Sequence, residues 1–193
     1  FAYSIAKTRF VTLAHQDDIY YPEFTARTME LADKYPDNLI TFTDYNEMRN
    51  GDITKNSSML LIKKILLFPF LFSNRIRNKT IKKTPFLFGC PIACPSVTFN
   101  RETIGSDYKF SEEYNINLDW ESWLRLSTYN GSFLYVKEPL MAHRIHEESA
   151  TTIGIKNQDR INEDREIFIK IWGRFIGIFL FRLYTFSYKY NFK

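Results

Sequence analysis

Two adjacent carboxylates, Asp17 and Asp18, sit in "LAHQDDIYYPEF" between a β-type apolar run and a group of aromatics. Neighbouring Asp side chains repel unless positive charge lies beside them, so this pair either faces open water or holds a cation. Carboxylate oxygens are hard ligands that suit Mg²⁺ or Mn²⁺, ions that in turn neutralise a diphosphate. A solvated turn is the plainer account of a bare Asp-Asp dipeptide. A third carboxylate, Asp119 in "NLDWESWLRLS", stands where a helix begins and could act as its N-cap or as a general base. "HRIHEES" then brings His143, Arg144 and His146. Imidazole completes a metal's coordination and guanidinium grips phosphate. Cys90 and Cys94 could join His143 and His146 in a zinc site, although a C-x₃-C spacing with Pro91 inside departs from the usual pattern and buried thiols are the simpler reading.

The surrounding pattern predicts the elements that must position these groups. "RFVTLA" (9–14) reads as a buried strand that delivers His15 to Asp18 at its C-terminal edge, where open α/β sheets place ligands. Pro22 opens a helix through "EFTARTMELADKY", which Pro36 stops, and "NLITFTDYNEM" (38–48) is a second strand before the Asn-Gly turn at 50–51. A βαβ pattern results. An amphipathic helix ends near Pro69, followed by the basic run Arg75, Arg77, Lys79, Lys82 and Lys83, which suits acceptor phosphate, membrane lipid or a solvated face. "CPSVTFNRETIG" (94–105) is strand-like, a helix covers about 119–129, and "SFLYVKEPLMAHRIH" supplies two short strands around Glu138 and Pro139. One long helix runs from Asn157, with a break at Gly173 or Gly177.

Composition narrows the class. The 193 residues suffice for a sizeable core, and 45% apolar with 25% charged residues is ordinary for a globular chain. A net charge of +4 fits a phosphate-bearing or anionic-membrane partner and is too modest to imply nucleic acid. Two cysteines give no disulfide framework and suggest a reducing, cytoplasmic setting. Lys63 and Lys64 interrupt one apolar run, Arg174 and Arg182 the other, so neither reaches the roughly 20 residues of a membrane span. After Glu166 there is no acidic residue; as one helix, the tail puts Lys170, Arg174, Thr185 and Lys189 in one arc with Trp172, Phe175, Ile176 and Phe179 outside it. Such a helix suits a membrane surface, or packs on an N-terminal half expected before Phe1 or on another subunit.

Taken in order, "LAHQDDIYYPEF", "FGCPIACPSVTF", "LDWESWLRLS" and "EPLMAHRIHEESAT" resemble the inverting family-2 glycosyltransferases of the GT-A fold over nearly all of residues 5–152. The resemblance implies an α/β, Rossmann-like nucleotide-sugar transferase domain, a mixed sheet flanked by helices, over 1–152. A C-terminal helical, membrane-associated extension follows over 153–193. It implies a donor of UDP- or dTDP-type, Mn²⁺ or Mg²⁺ as cofactor, and a glycan or lipid-linked acceptor. Peripheral membrane contact through 167–193, no nucleic acid, and a role in bacterial surface polysaccharide synthesis on the cytoplasmic face of the membrane complete the expectation. Residue by residue, Asp18 and His146 fall on metal contacts, Asp17 and Gly89 on donor contacts, and Asp119 on the catalytic base; Arg144 joins the donor contacts through its guanidinium's affinity for phosphate. His15 and Leu118 stand where many members carry acidic residues. Members also begin with a βαβ half that carries nucleoside contacts and would precede Phe1, so this stretch alone is expected to lack them. The competing expectation is a noncatalytic membrane-associated or glycan-binding module on the same scaffold.

Overall fold

The computed structural model describes residues 2–55, 57–146, 154 and 157–186. Its spine is β3 (Asn38–Arg49), buried at every position but the last. Burial on both faces requires layers on both sides, which is why this strand reads as a nearly continuous Leu/Ile/Thr/Phe run. Beside it, in parallel, lies β7 (Ser132–Arg144). On the other flank β6 (Val97–Asn100) runs antiparallel and separates β3 from β1 (Phe10–Thr12). The first and second strands of the βαβ expectation are therefore parallel but not neighbours. β2 (Ile19–Tyr20) pairs with the end of β7, and β4 (Asp52–Thr54) and β5 (Arg75–Ile76) pair with β3 and β7. The described residues thus form an α/β architecture on a seven-stranded mixed sheet.

Several local expectations change. The two short strands around Glu138 are one strand with a bulge: Thr43 pairs with Val136 and Asp44 with Pro139, so Lys137 and Glu138 are extra residues. Pro139 has no N–H for a ladder and is accommodated at that irregularity. The strand-like run 94–105 holds only β6, entered by a 3₁₀ turn at Cys94–Ser96 and left by α5 (Arg101–Ile104). The Asn50-Gly51 turn forms as read, with φ of 51° and 91°, the left-handed pair that a two-residue hairpin needs.

Helices cover both faces. Tyr135 and Val136, adjacent on β7, point to opposite sides. Tyr135 joins the main core, and Val136 meets Phe24 of α2 (Phe24–Lys34). The main core also takes Tyr3 from α1 (Ala2–Ile5) and Trp120, Trp123 and Leu126 from α6 (Leu118–Ser127). α3 (Ser58–Leu66), capped by the Ser57 hydroxyl accepting from Leu60 N at 3.1 Å, covers Tyr45 and Met141 with Leu60. A 3₁₀ turn (Phe68–Leu71) follows, and α4 (Lys79–Lys83) is capped by Asn78.

The tail is two helices rather than one. α7 (Asp159–Trp172) ends at Gly173, whose φ of 75° only glycine adopts without strain, and α8 (Arg174–Phe186) follows. They cross closely at Gly177, where a Cβ would lie 2.6 Å from the Phe168 carbonyl oxygen. The arc of Lys170, Arg174 and Thr185 is therefore not one continuous face; Lys170 instead sits over the Tyr114 ring, and Lys189 lies outside the described residues. Ile167 and Phe168 of α7 are fully buried in the main core. The basic run is also divided: Arg75 and Arg77 turn to Asp37, and Lys82 is buried, its ammonium donating to the Tyr129 and Gly131 carbonyls at 2.8 Å each.

Candidate functional site

The tight turn between β1 and β2 carries His15, Asp17 and Asp18, and the end of β7, which pairs with β2, lies against it. That pairing brings together groups more than 120 residues apart. The Asp18 side chain is fully buried. Its Oδ1 accepts the Arg144 backbone N–H at 2.8 Å and lies 3.0 Å from His143 Nδ1. Its Oδ2 is buried with no hydrogen-bond partner, and His15 Nδ1 stands 3.9 Å away. The Arg144 Nε–H donates to the Asp17 carbonyl at 2.8 Å, and His146 Nε2 lies 3.0 Å from Asp17 Oδ2. Burial pushes the Asp17 carboxyl up, but the His146 hydrogen bond and the neighbouring backbone and imidazoles outweigh it and hold it below its ordinary value.

A buried carboxylate oxygen left unpaired is costly, by about 1–3 kcal/mol or more for a charged group. A cation beside Asp18 Oδ2 would remove that cost. His15, Asp17 and Asp18 each offer a ligand atom, all within 4.8 Å of one another, and they are the only such His/Cys/Asp/Glu group among the described residues. The residues present therefore fit a divalent ion of the hard-ligand kind. His15 enters this set as a ligand candidate that the sequence had placed at the same strand edge without assigning it to the metal; its signal was its place three residues before Asp18. His146 binds Asp17 instead of joining that set.

The second part of the site lies at the head of α6. Asp119 is not the N-cap, since Asn117 precedes the helix. Asp119 sits in the first turn, where the helix dipole favours its charge, and its Oδ1 accepts Trp120 N–H at 2.7 Å. Burial nonetheless raises its pKa, against the pull of Arg160 and Lys63. Cys90 Sγ–H donates to Asp119 Oδ2 at 3.7 Å. Both thiols are pushed up, Cys94 to about 12, first by burial and then by Asp119. They stay protonated and lie with Asp119, apart from the histidines, so the geometry does not form the zinc site.

The two parts are joined by a chain of contacts. His143 meets the Tyr45 ring edge-on with centroids 6.1 Å apart, Tyr45 OH is bonded by the Lys63 ammonium, and Lys63 acts electrostatically on Cys90 and Asp119. Gly89 is next to Cys90; a Cβ there would lie 3.4 Å from Leu66 and 3.5 Å from Tyr184. All three tryptophans hold this loop through their indole N–H groups: Trp120 to Phe86 O at 2.9 Å, Trp172 to Leu87 O at 2.9 Å, Trp123 to Ile92 O at 3.2 Å.

Sequence reading missed the role of α7. Glu163 accepts the backbone N–H groups of Asn115 (2.7 Å), Ile116 (3.0 Å) and Asn117 (2.8 Å), the residues just before Asp119's helix. Asp164 accepts from Asn117 Nδ2 at 2.8 Å and pairs with Arg160, whose Nε is 3.8 Å away. An acidic pair on an amphipathic helix looks solvent-facing in a linear sequence; only packing turns it inward. No family model matches the sequence, and no curated protein matches it.

Proposed function

We propose that this chain carries the metal-binding and base-bearing part of an inverting, nucleotide-sugar-dependent glycosyltransferase with a GT-A-type scaffold. One observation carries the reading: a buried Asp18 with an orphaned oxygen, beside His15 and Asp17 and linked by Tyr45 and Lys63 to Asp119 at a helix head. In the reaction, an acceptor hydroxyl attacks the anomeric carbon as the nucleoside diphosphate leaves. Asp119, its pKa raised by burial, takes the hydroxyl's proton as the new bond forms. Mn²⁺ or Mg²⁺, held by Asp18 and Asp17 with a histidine, would supply positive charge to the departing diphosphate. Arg144, anchored by its Nε–H on Asp17, has further N–H groups for the same oxygens. Gly89, next to Cys90 in the loop that meets Asp119, belongs to the donor contacts in this reading. UDP- or dTDP-sugar as donor, a glycan or lipid-linked acceptor, and a place on the cytoplasmic face of a bacterial membrane in surface polysaccharide synthesis belong to the same proposal.

A second reading, a noncatalytic module, is favoured by one feature: His143 and His146 already hydrogen-bond the two carboxylates, so the pair has internal partners without a cation. Mn²⁺ titration by electron paramagnetic resonance separates the two. In the enzyme reading UDP tightens Mn²⁺ binding in the parent, Asp18→Ala abolishes that effect, and Asp119→Asn leaves it intact while stopping transfer. Absence of Mn²⁺ binding by the parent would sink the enzyme reading of this chain.

A further inference from the structure

Exposed large apolar side chains are unevenly placed. Of fifteen among the described residues, all but Ile5 and Ile19 fall in two stretches, 53–88 and 175–183. The first lies within residues 53–101, which contain no Asp or Glu, and the second within 167–193, which also contain none. Scattered exposed apolar residues are ordinary in a soluble protein, but a cluster confined to acid-free, basic segments is not.

The fold brings these stretches side by side. Gly89 lies between Leu66 of α3 and Tyr184 of α8, and Phe88 packs on Trp172 at the end of α7, with ring centroids 5.3 Å apart. α3 and α8 therefore flank one loop. Each turns one side to the core, Leu60 and Leu67 from the first segment and Leu180 and Tyr184 from the second. The outward sides carry Leu61, Ile65, Phe68 and Phe72 on one flank and Phe175, Phe179 and Leu183 on the other, with Phe72 88% and Phe175 90% exposed. Lys55 lines one surface hollow with Leu61, and Arg174 and Arg182 are exposed on the helix that carries Phe175, Phe179 and Leu183.

We infer that α3, the 68–72 turn and α8 form a single docking face for an anionic lipid bilayer, with the phenylalanines entering the acyl boundary and the basic side chains meeting headgroup phosphates. The charge argues for this occupant: a protein partner matched to so basic a rim would need an acidic apolar surface, whereas an anionic membrane supplies negative charge at every point around buried acyl chains. No helix among the described residues is long and apolar enough to cross a membrane, so the contact is interfacial. The inference widens the tail-only contact expected from sequence and deepens the membrane location proposed above, on which it rests; failure of vesicle binding would leave the Mn²⁺ test of the metal site untouched.

The test is co-sedimentation of the full chain with vesicles of phosphatidylcholine alone or mixed with phosphatidylglycerol. Binding is expected to the mixed vesicles and to fall with salt. Leu61→Ser with Phe72→Ser, Phe175→Ser with Phe179→Ser, and Arg174→Glu with Arg182→Glu should each lower partitioning about tenfold. Circular dichroism should match the parent, since these side chains are exposed. No binding to mixed vesicles, or variants that partition like the parent, would overturn the proposal. Loss confined to the α8 variants would overturn the joint face. Self-association abolished by the same substitutions, without lipid binding, would assign the face to a second copy instead.

Discussion

At the scale of single residues, charge is placed where it is costly and then compensated by specific partners. Asp164 is the clearest case. Burial raises its pKa to about 7, against the lowering effects of Arg160 and the Asn117 hydrogen bond. The native state therefore keeps a proton between about pH 4 and pH 7 that the unfolded chain has released. This group's contribution to stability is fullest below about pH 4 and falls as pH rises through 7. Asp164→Asn, which retains an acceptor for Asn117, should flatten stability against pH across that window; urea midpoints measured at several pH values will show it, and an unchanged slope would refute it. The sequence displayed Asp17, Asp18, Asp119, Arg144 and the histidines as chemistry-bearing types. It gave no sign that Asp164 or Glu163 is buried, because burial of a carboxylate depends on partners supplied from elsewhere in the chain.

At the scale of elements, the last helices position the candidate base. The Glu163 carboxylate satisfies three consecutive backbone donors ahead of α6. Glu163→Ala should cost about 3 kcal/mol, measured by chemical denaturation, because it leaves one buried and two part-buried donors without their carboxylate acceptor. Glu163→Gln, which keeps one acceptor oxygen, should cost less. A loss under 1 kcal/mol for the alanine variant would mean that water replaces the carboxylate freely. α2, β3 and α6 were readable from their periodicity and from Pro22, Pro36 and the residues after Tyr129. The continuity of β7 through Pro139 was not, since a proline that normally ends a strand is tolerated once a bulge takes it out of the ladder.

At the scale of the whole molecule, α7 and α8 share the main core with the sheet through Ile167, Phe168, Leu180 and Tyr184. Unfolding should accordingly be one cooperative transition, with tryptophan fluorescence and far-ultraviolet circular dichroism coinciding in urea. Two separated transitions would show instead that the tail folds as an independent extension. Sequence by itself determined the α/β class, the places of β1, α2, β3 and α6, the Asn50-Gly51 turn, and a break in the tail at one of two glycines, of which the structure uses Gly173. These follow from local preferences: apolar period, proline and glycine stereochemistry, and capping side chains. Only the tertiary structure decided that β6 enters between β1 and β3, that β7 returns beside β2 to place His143 and Arg144 on Asp18, and that α3 and α8 border one loop. Such contacts join residues tens to more than a hundred positions apart, and the free energy that selects them comes from burying side chains against one another, which no local pattern encodes.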